Sequence, residues 1–498
     1  MSRRKSKSIR SEKKGAGDLL AESLERFKVM LPADEFQQLL KELERPLYPA
    51  LRANPLKVSP ITGLEDWSKR YGWQIQPIPY CDTGWWVQHS EVLPSQTIEH
   101  RLGFFYIQDA ASMLPVELFD FTSVNNPLIL DLAASPGGKT THLAAKSGDR
   151  GLIIANDSSQ SRIIALRLVL QTWGAANTAV TAFPGERFGS WFPETFDRVL
   201  LDAPCSMQNL RSTESHPLRS ITEKEQKGLA TRQARLLESA FQALKVGGQV
   251  VYSTCTLAPE EDEAVVEALI RGYPHAVRVE NVQTRLSVPA PGLVGDGSTQ
   301  FNASIQNTVR LWPHKYGTSG FYAALITKLE PIQSTTQAAP DRPIEKTGLT
   351  ALTRTENRKL DDFFQISYGF TLAEVIEKQD LSLWQRGMAV FALPDLFITQ
   401  FRGLPFQGIG LLVGEWIRGG FVPSHEWVAR FGMDFNLGWY VLAEELIPAW
   451  LRGEDIHQEN NSSQVGTVVV VEDAQRRLLG RGKIQAQRVK NLLPRRLV

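Results

Sequence analysis

Cysteine is scarce. Only three occur in 498 residues, at positions 81, 205 and 255, too few for a disulfide framework. No C-x-x-C pair or Cys/His cluster is present and the eight histidines show no metal-ligand spacing, so no metal is expected. No apolar run approaches the roughly 18 residues of a membrane-spanning helix. The opening "MSRRKSKSIRSEKKG" lacks the apolar stretch of a secretory signal, so the cytoplasm is the expected location and no membrane partner is expected. What remains is an ordinary globular composition, 42% hydrophobic and 22% charged. At this length two or three domains are expected, because one core rarely serves more than about 250–300 residues.

Net charge is only +1, from 55 basic and 54 acidic side chains, but its placement is uneven. Arg3, Arg4, Lys5, Lys7, Arg10, Lys13 and Lys14 face Glu12 alone, and residues 475–498 carry arginine and lysine throughout with no acid. Such segments suit a polyanionic partner through counterion release. Solvated basic faces or a disordered tail account equally well for either one taken singly.

Residues 17–44 space their apolar side chains helically and break at Pro32, which predicts two short helices within a small α+β domain reaching to about residue 122. Beyond it, "PLILDLAA", "GLIIAND", "TAVTAF", "DRVLLDAP" and "GGQVVYSTC" read as strands. "GGKTTHLAAKSG", "SQSRIIALRLVLQTWG" and "TRQARLLESAFQALKVGG" read as the helices between them. That alternation predicts a parallel sheet covered on both faces, an α/β doubly wound core over 123–330 with ligands at the carboxyl ends of its strands. The polar, aperiodic 331–348 reads as a linker and 349–498 as a β-rich domain, with strand candidates "GIGLLVGEWI" and "GTVVVVED".

The predicted strand ends carry the chemistry. After the first, "LAASPGGKTT" places Gly137 and Gly138 where backbone N–H groups and a helix N-terminus can approach a ligand, although the stretch is neither a Walker A nor a G-x-G-x-x-G motif. An ordinary connection explains a Pro-Gly-Gly turn as well. Asp157 ends the second strand roughly 20 residues on, where an acid commonly takes ribose hydroxyls; a helix cap is the rival reading. Loop and acid together favour a nucleoside cofactor. Cys205 follows Asp202 at the fourth strand end, and Cys255 ends the fifth. Two thiols at neighbouring strand ends point to thiolate chemistry, against the alternative of small packed hydrophobes. Glu260, Glu261, Asp262 and Glu263 read as structural acids complementing a helix dipole.

With "AASPGGKTT", "AND" followed by Arg162, "DAPCS", "VVYSTCT" and "RLWPH…GFYAAL", the sequence resembles the Sun family of RNA cytosine-C5 methyltransferases, which use S-adenosylmethionine. The pair DAPCS and STCT, in that order and separation, is the most specific of these. The C-terminal stretches "GGFVPSHEWVA" and "GRGKIQAQRVKNLLPRRL" are similar to the PUA-like RNA-binding module of bacterial members that act on small-subunit ribosomal RNA. The resemblance implies a class I, Rossmann-like methyltransferase core with Cys255 as nucleophile and Cys205 as the group assisting release. Asp202 would contact the cofactor region and the cytosine edge. Ala133, Ala134, Ser135, Pro136, Gly137, Gly138 and Lys139 would hold the methionine part of the cofactor, and Asp157 the ribose. The implied partner is RNA, ribosomal RNA or a ribosomal subunit foremost, bound by a monomer. A transfer RNA substrate, or an assembly factor with weak catalysis, stands as the alternative.

Two departures stand out. Pro184 replaces the acid that the family carries after the third strand, so the adenine-side contact must be lost, moved to Glu186 or made by backbone, and weaker cofactor binding is expected. Met207-Gln208-Asn209 replaces a glycine-rich loop, which bears on substrate choice. DNA cytosine methyltransferases instead attack with the cysteine of a PC motif and use the glutamate of an ENV motif. The ENV at Glu280 lies beyond the STCT strand and reads as coincidence.

Overall fold

The computed structural model describes residues 20, 24–211, 220–296, 299–418, 420–458 and 465–497. The basic stretch 1–18, expected to be a tail, lies outside the described residues. Pro32 separates a helical turn at 24–28 from α1 (Ala33–Leu43), as the break at that proline predicts. Phe27, Phe36 and Leu39 pack on Leu210, Leu257 and Trp312, so this helical pair braces the loops that follow Cys205 and Cys255. Strands β1 (Ala50–Ala53), β2 (Gln74–Ile78), β3 (Cys81–His89) and β4 (Phe105–Ile107) form an antiparallel sheet in the order β2-β3-β1-β4, with α2 (Pro60–Tyr71) beside it.

The five apolar runs become β5 (Leu128–Asp131), β6 (Leu152–Asn156), β7 (Thr178–Thr181), β8 (Phe196–Asp202) and β9 (Leu244–Thr254). All five run parallel, in the order β7-β6-β5-β8-β9. Every residue of β5, β6 and β7 is buried, which is why these runs are continuous rather than alternating. Ile129 and Ile153 face a cluster with Leu143 and Leu166; Leu130 and Ile154 face another with Leu237 and Phe241. Helices α3 (Gly138–Lys146) and α4 (Gln160–Trp173) supply the first cluster, and α5 (Glu223–Ala243) the second. The core is therefore doubly wound, as the alternation predicts.

α5 begins eight residues before the predicted run, because the Thr222 side chain caps it by accepting from the Glu225 amide at 3.2 Å. Beyond β9 come α6 (Glu263–Gly272), β10 (Val277–Val279), β11 (Val309–Leu311) and β12 (Phe321–Lys328). β12 pairs antiparallel with β9, so the sheet is mixed rather than purely parallel.

"GIGLLVGEWI" is not one strand. Gly410, at φ 60°, breaks it into Gly408–Ile409, which adds antiparallel to β7 at the other edge of the central sheet, and Leu411–Ile417. A Cβ at Gly410 would fall 2.0 Å from the Ala392 carbonyl oxygen, so only glycine fits. Among the described residues, the rest of the C-terminal region holds two five-stranded sheets. One runs Thr350–Ala351, Leu381–Arg386, Ala389–Pro394, Leu411–Ile417, Gly420–Pro423, antiparallel throughout; the other centres on Val468–Glu472, Leu478–Gln485 and Arg488–Asn491. A single apolar cluster links Trp67 and Phe105 of the N-terminal unit to Phe364, Trp427 and Trp450 of the C-terminal one. No helix among the described residues is long and apolar enough to cross a membrane.

Candidate active site

The carboxyl ends of β5, β6, β8 and β9 open into a cleft of about 970 Å³. Ala133, Ala134, Ser135, Pro136, Gly138, Lys139, Asp157, Asp202, Cys205 and Cys255 all line it. Gly137 lies beneath the surface and shapes the turn instead. Its φ of 115° and the close approach of Val169, whose Cγ1 would sit 3.0 Å from an added Cβ, both require glycine. A Cβ at Gly138 would meet the Tyr106 ring at 2.9 Å, so a side chain there would crowd the cleft wall.

Asp157 is buried and ties this turn down. Its carboxylate accepts from the Ser135 amide at 3.2 Å and the Ser159 amide at 2.9 Å, with Arg162 at 3.4 Å. A carboxylate offers about four acceptor positions, so capacity for one further hydroxyl remains. On the third-strand side Gly185 lines the cleft and Pro184 does not. Glu186 is drawn to Arg232, which itself lines the cleft, at 3.3 Å, so Gly185 offers only backbone where the family carries an acid.

Asp131, which the sequence reading overlooks, ends β5 inside the cleft. One oxygen accepts from Thr140 at 2.7 Å; Oδ1 has no partner among the described residues. Burial, with Asp202 and Asp157 adding repulsion against the Thr140 hydrogen bond, pushes its pKa up to about 7. The signal was available in the sequence: an acid closes the first strand, just before the glycine turn.

Asp202 is fixed from both sides. Lys139 Nζ lies 2.7 Å from one oxygen and the Ser253 hydroxyl donates to the other at 2.8 Å. Burial alone would lower the Lys139 pKa, but the carboxylate of Asp202 outweighs it and holds the ammonium above its usual value. Parallel pairing sets Asp202 opposite Ser253, which is what brings the two strand-end cysteines together.

Their sulfurs are 3.0 Å apart. The Cys205 pKa is held well above its ordinary value, first by the hydrogen bond with Cys255, then by burial and by the charges of Cys255 and Glu261. The contact places Cys205 within proton-transfer reach of the Cys255 sulfur. Cys81, by contrast, is buried against Glu117 and its thiol is pushed up to about 12, chiefly by burial; it packs as a small hydrophobe.

The loop after Cys205 is pinned at several points. The Ser206 amide donates to Glu261 at 2.9 Å, Gln208 accepts from the Leu257 amide at 3.0 Å and Asn209 from the Gly320 amide at 2.9 Å. Met207 and Leu210 hold φ of 60° and 65°, so the backbone keeps a glycine-like course with non-glycine residues, at a cost of order 1–3 kcal/mol each. The acids at 261–263 are structural, as read, but they do more than complement a helix dipole. α6 starts only at Glu263, and Glu261, Asp262 and Glu263 are fully buried. Arg310 bonds Glu263 at 2.8 Å through Nε and reaches Asp262 at 3.3 Å, while Glu261 holds Ser206. Glu280 bonds Arg278 and Thr327 and does not line the cleft.

Residues 20–110 match the model of the N-terminal domain of 16S rRNA methyltransferase RsmF, and residues 120–327 that of 16S rRNA methyltransferase RsmB/F. The chain is 33% identical over 480 residues to ribosomal RNA small subunit methyltransferase F of Erwinia tasmaniensis, covering 95% of this chain and 96% of that protein. It belongs to the RsmB/F methyltransferase family. The namesake from Klebsiella pneumoniae is 32% identical over 479 residues, covering 95% of each. Among solved structures, a methyltransferase homolog from Pyrococcus horikoshii superposes with TM-score 0.52 at 28% identity, over 62% of this chain and 99% of its own. NSun6 of the same organism gives TM-score 0.51 at 23% identity, over 62% and 98%, and shares the fold.

As an RsmB/F methyltransferase the protein takes its methyl group from S-adenosylmethionine. The cleft fits that molecule: the unpartnered Asp131 Oδ1 calls for a donor such as an ammonium group, Asp157 retains room for a hydroxyl, and the glycine turn leaves space for the chain between them. A pH dependence follows. Because the Asp131 pKa is raised from 3.8 to about 7, the folded protein holds a proton there that the unfolded chain lacks, and the resulting stabilisation is lost as pH rises through 7. An ammonium at Oδ1 needs the ionised carboxylate. Cofactor affinity measured by calorimetry should therefore rise up to roughly tenfold per pH unit below 7 and level off above it. Asp131→Asn should bind weakly with a flat profile; a flat profile in the unaltered protein would contradict the role given to Asp131.

Proposed function

We propose that the protein methylates carbon 5 of a cytosine in small-subunit ribosomal RNA, with Cys255 as the nucleophile and Cys205 as the group that assists release. The thiol pair carries this reading: two sulfurs 3.0 Å apart in one cleft with the glycine turn and Asp202. Carbon 5 of cytosine is a poor nucleophile. Addition of the Cys255 thiolate at carbon 6 turns it into an enamine-like carbon that can take a methyl group. S-adenosylmethionine, when bound, supplies that methyl from its sulfonium. The target base must leave its stack to expose carbon 6, at a cost of a few kcal/mol. Asp202, held by Lys139 and Ser253, can then hydrogen-bond the ring nitrogen or the amine of the cytosine.

Adduct formation also changes Cys205. Its hydrogen bond to Cys255 is the largest cause of its raised pKa, and that cause disappears once the Cys255 sulfur is bonded to carbon. Cys205 thus ionises more readily at the stage when a base must take the carbon-5 proton, and the C–S bond breaks to return Cys255 as thiolate.

We assign RNA contact to residues 19–122, whose helices brace the cysteine loops, and to a PUA-like domain over 349–498 joined by the linker 331–348. The work of such an enzyme lies in the cytoplasm, with ribosomal subunits as its partners. The test is transfer of labelled methyl to purified small-subunit ribosomal RNA and to transfer RNA, followed by bisulfite sequencing. A protected cytosine in the ribosomal RNA is expected. Methylation of transfer RNA alone would overturn the substrate, and no transfer to either would favour an assembly factor.

A further inference from the structure

Where Gly408–Ile409 joins the edge of the central sheet, a second cavity of about 280 Å³ opens at the seam between the methyltransferase core and the C-terminal sheets. Arg167 of α4, Arg342 of the linker and Arg386 at the end of Leu381–Arg386 converge on it from three separate segments, beside the rings of Phe391 and Phe406. All three arginines are exposed, and none lies within ion-pair distance of an acid among the described residues. Among the described residues, no acidic side chain lines the cavity. In a chain with 55 basic and 54 acidic residues, three uncompensated guanidinium groups around one cavity are a local concentration of positive charge.

Packing steers Arg167 and Arg386, and Arg342 is tethered through its backbone and by donating to the Lys346 carbonyl at 3.3 Å. Arg167 lies across Gly408, where an added Cβ would be 3.1 Å from its Nε, and the Arg386 guanidinium sits 5.4 Å from the Phe391 ring centre. The Arg342 backbone amide is bonded to Gly403 at 2.7 Å. Forked donors of this kind match phosphate oxygens, and flanking rings suit a sugar or base beside them. The same helix connects this cavity to the catalytic cleft: Arg162 of α4 lines the cleft, and Arg167 and Gln171 line the seam, about 8 and 14 Å further along the helix axis. At roughly 3.4 Å of axis per phosphate on one strand, that separation is about two to four phosphate spacings, short enough for one bound strand to touch both.

We infer that this seam is a phosphate-backbone anchor for the substrate RNA, gripping it outside the catalytic cleft and holding the target cytosine in register. The inference rests on the RNA-methylating reading above. It is tested with the full chain carrying R167Q, R342Q and R386Q together, using a small-subunit ribosomal RNA transcript over a potassium chloride series. Each phosphate contact contributes about 0.7–0.9 to the slope of log affinity against log salt, so the triple variant should lose about two units of slope. The RNA KM at low salt should rise on the order of tenfold or more, with the loss falling on KM rather than kcat, while S-adenosylmethionine affinity measured without RNA is unchanged.

If the unaltered protein methylates the transcript and the triple variant matches it in slope and KM, the anchor is overturned and the reading of the active site survives. If inorganic phosphate binds the unaltered protein at the seam but the RNA slope does not change in the variant, the cavity takes a small anion rather than RNA. If the unaltered protein methylates no RNA at all, both fall.

Discussion

Cys205→Ala, incubated with S-adenosylmethionine and RNA, should leave the RNA attached to the protein through denaturing electrophoresis, with the methyl group already transferred. Removing Cys205 takes away the group placed 3.0 Å from the Cys255 sulfur but leaves Asp202, Lys139 and the glycine turn intact, so addition and methyl transfer proceed and expulsion stalls. Cys255→Ala should form no adduct and lose turnover by on the order of a thousandfold or more, as removal of a nucleophile does elsewhere. The two variants differ in kind, because one traps an intermediate and the other never forms it. Equal loss of both activity and adduct in the two variants would deny the division of labour.

Arg310→Met should have the largest effect on stability. Arg310 is fully buried and answers two fully buried acids, bonding Glu263 at 2.8 Å and reaching Asp262 at 3.3 Å, with a further bond to the Leu257 carbonyl at 2.8 Å. Removing one member of such a group strands the opposite charges, at a cost of about 3–5 kcal/mol. Burial already pushes the Asp262 pKa well up against the pull of Arg310. Protonation of the stranded acids would recover part of the loss, so the variant should be least unstable in mild acid. Thermal unfolding checks this. Glu261 precedes these acids and holds the Ser206 amide, so the segment that loosens is the one that places Cys205. Arg310→Lys keeps the charge but not the two-pronged geometry, and should recover only part of the stability.

The buried parallel strands announced themselves as uninterrupted apolar runs, and the glycine turn and both cysteines fell at strand ends because pattern and chain order alone place them there. Other features depend on what meets in space. Asp131 acquires its role because one oxygen finds Thr140 and the other finds nothing. Glu261 looked like a helix-start acid, and only the fold brings it under Ser206. Gly408–Ile409 is two residues long, too short for any periodicity, and its partner β7 lies more than 220 residues earlier in the chain. Ser253 is ordinary in sequence; its hydroxyl matters because β9 pairs with β8 in the register that sets it against Asp202.

The order of the two cysteines in the reaction is the central claim. It is tested most directly by digesting the trapped Cys205→Ala complex and locating the nucleotide by mass spectrometry. A methylated cytosine carried on Cys255 is the expected result; a nucleotide on any other residue, or no adduct from a variant whose parent enzyme methylates RNA, would contradict it.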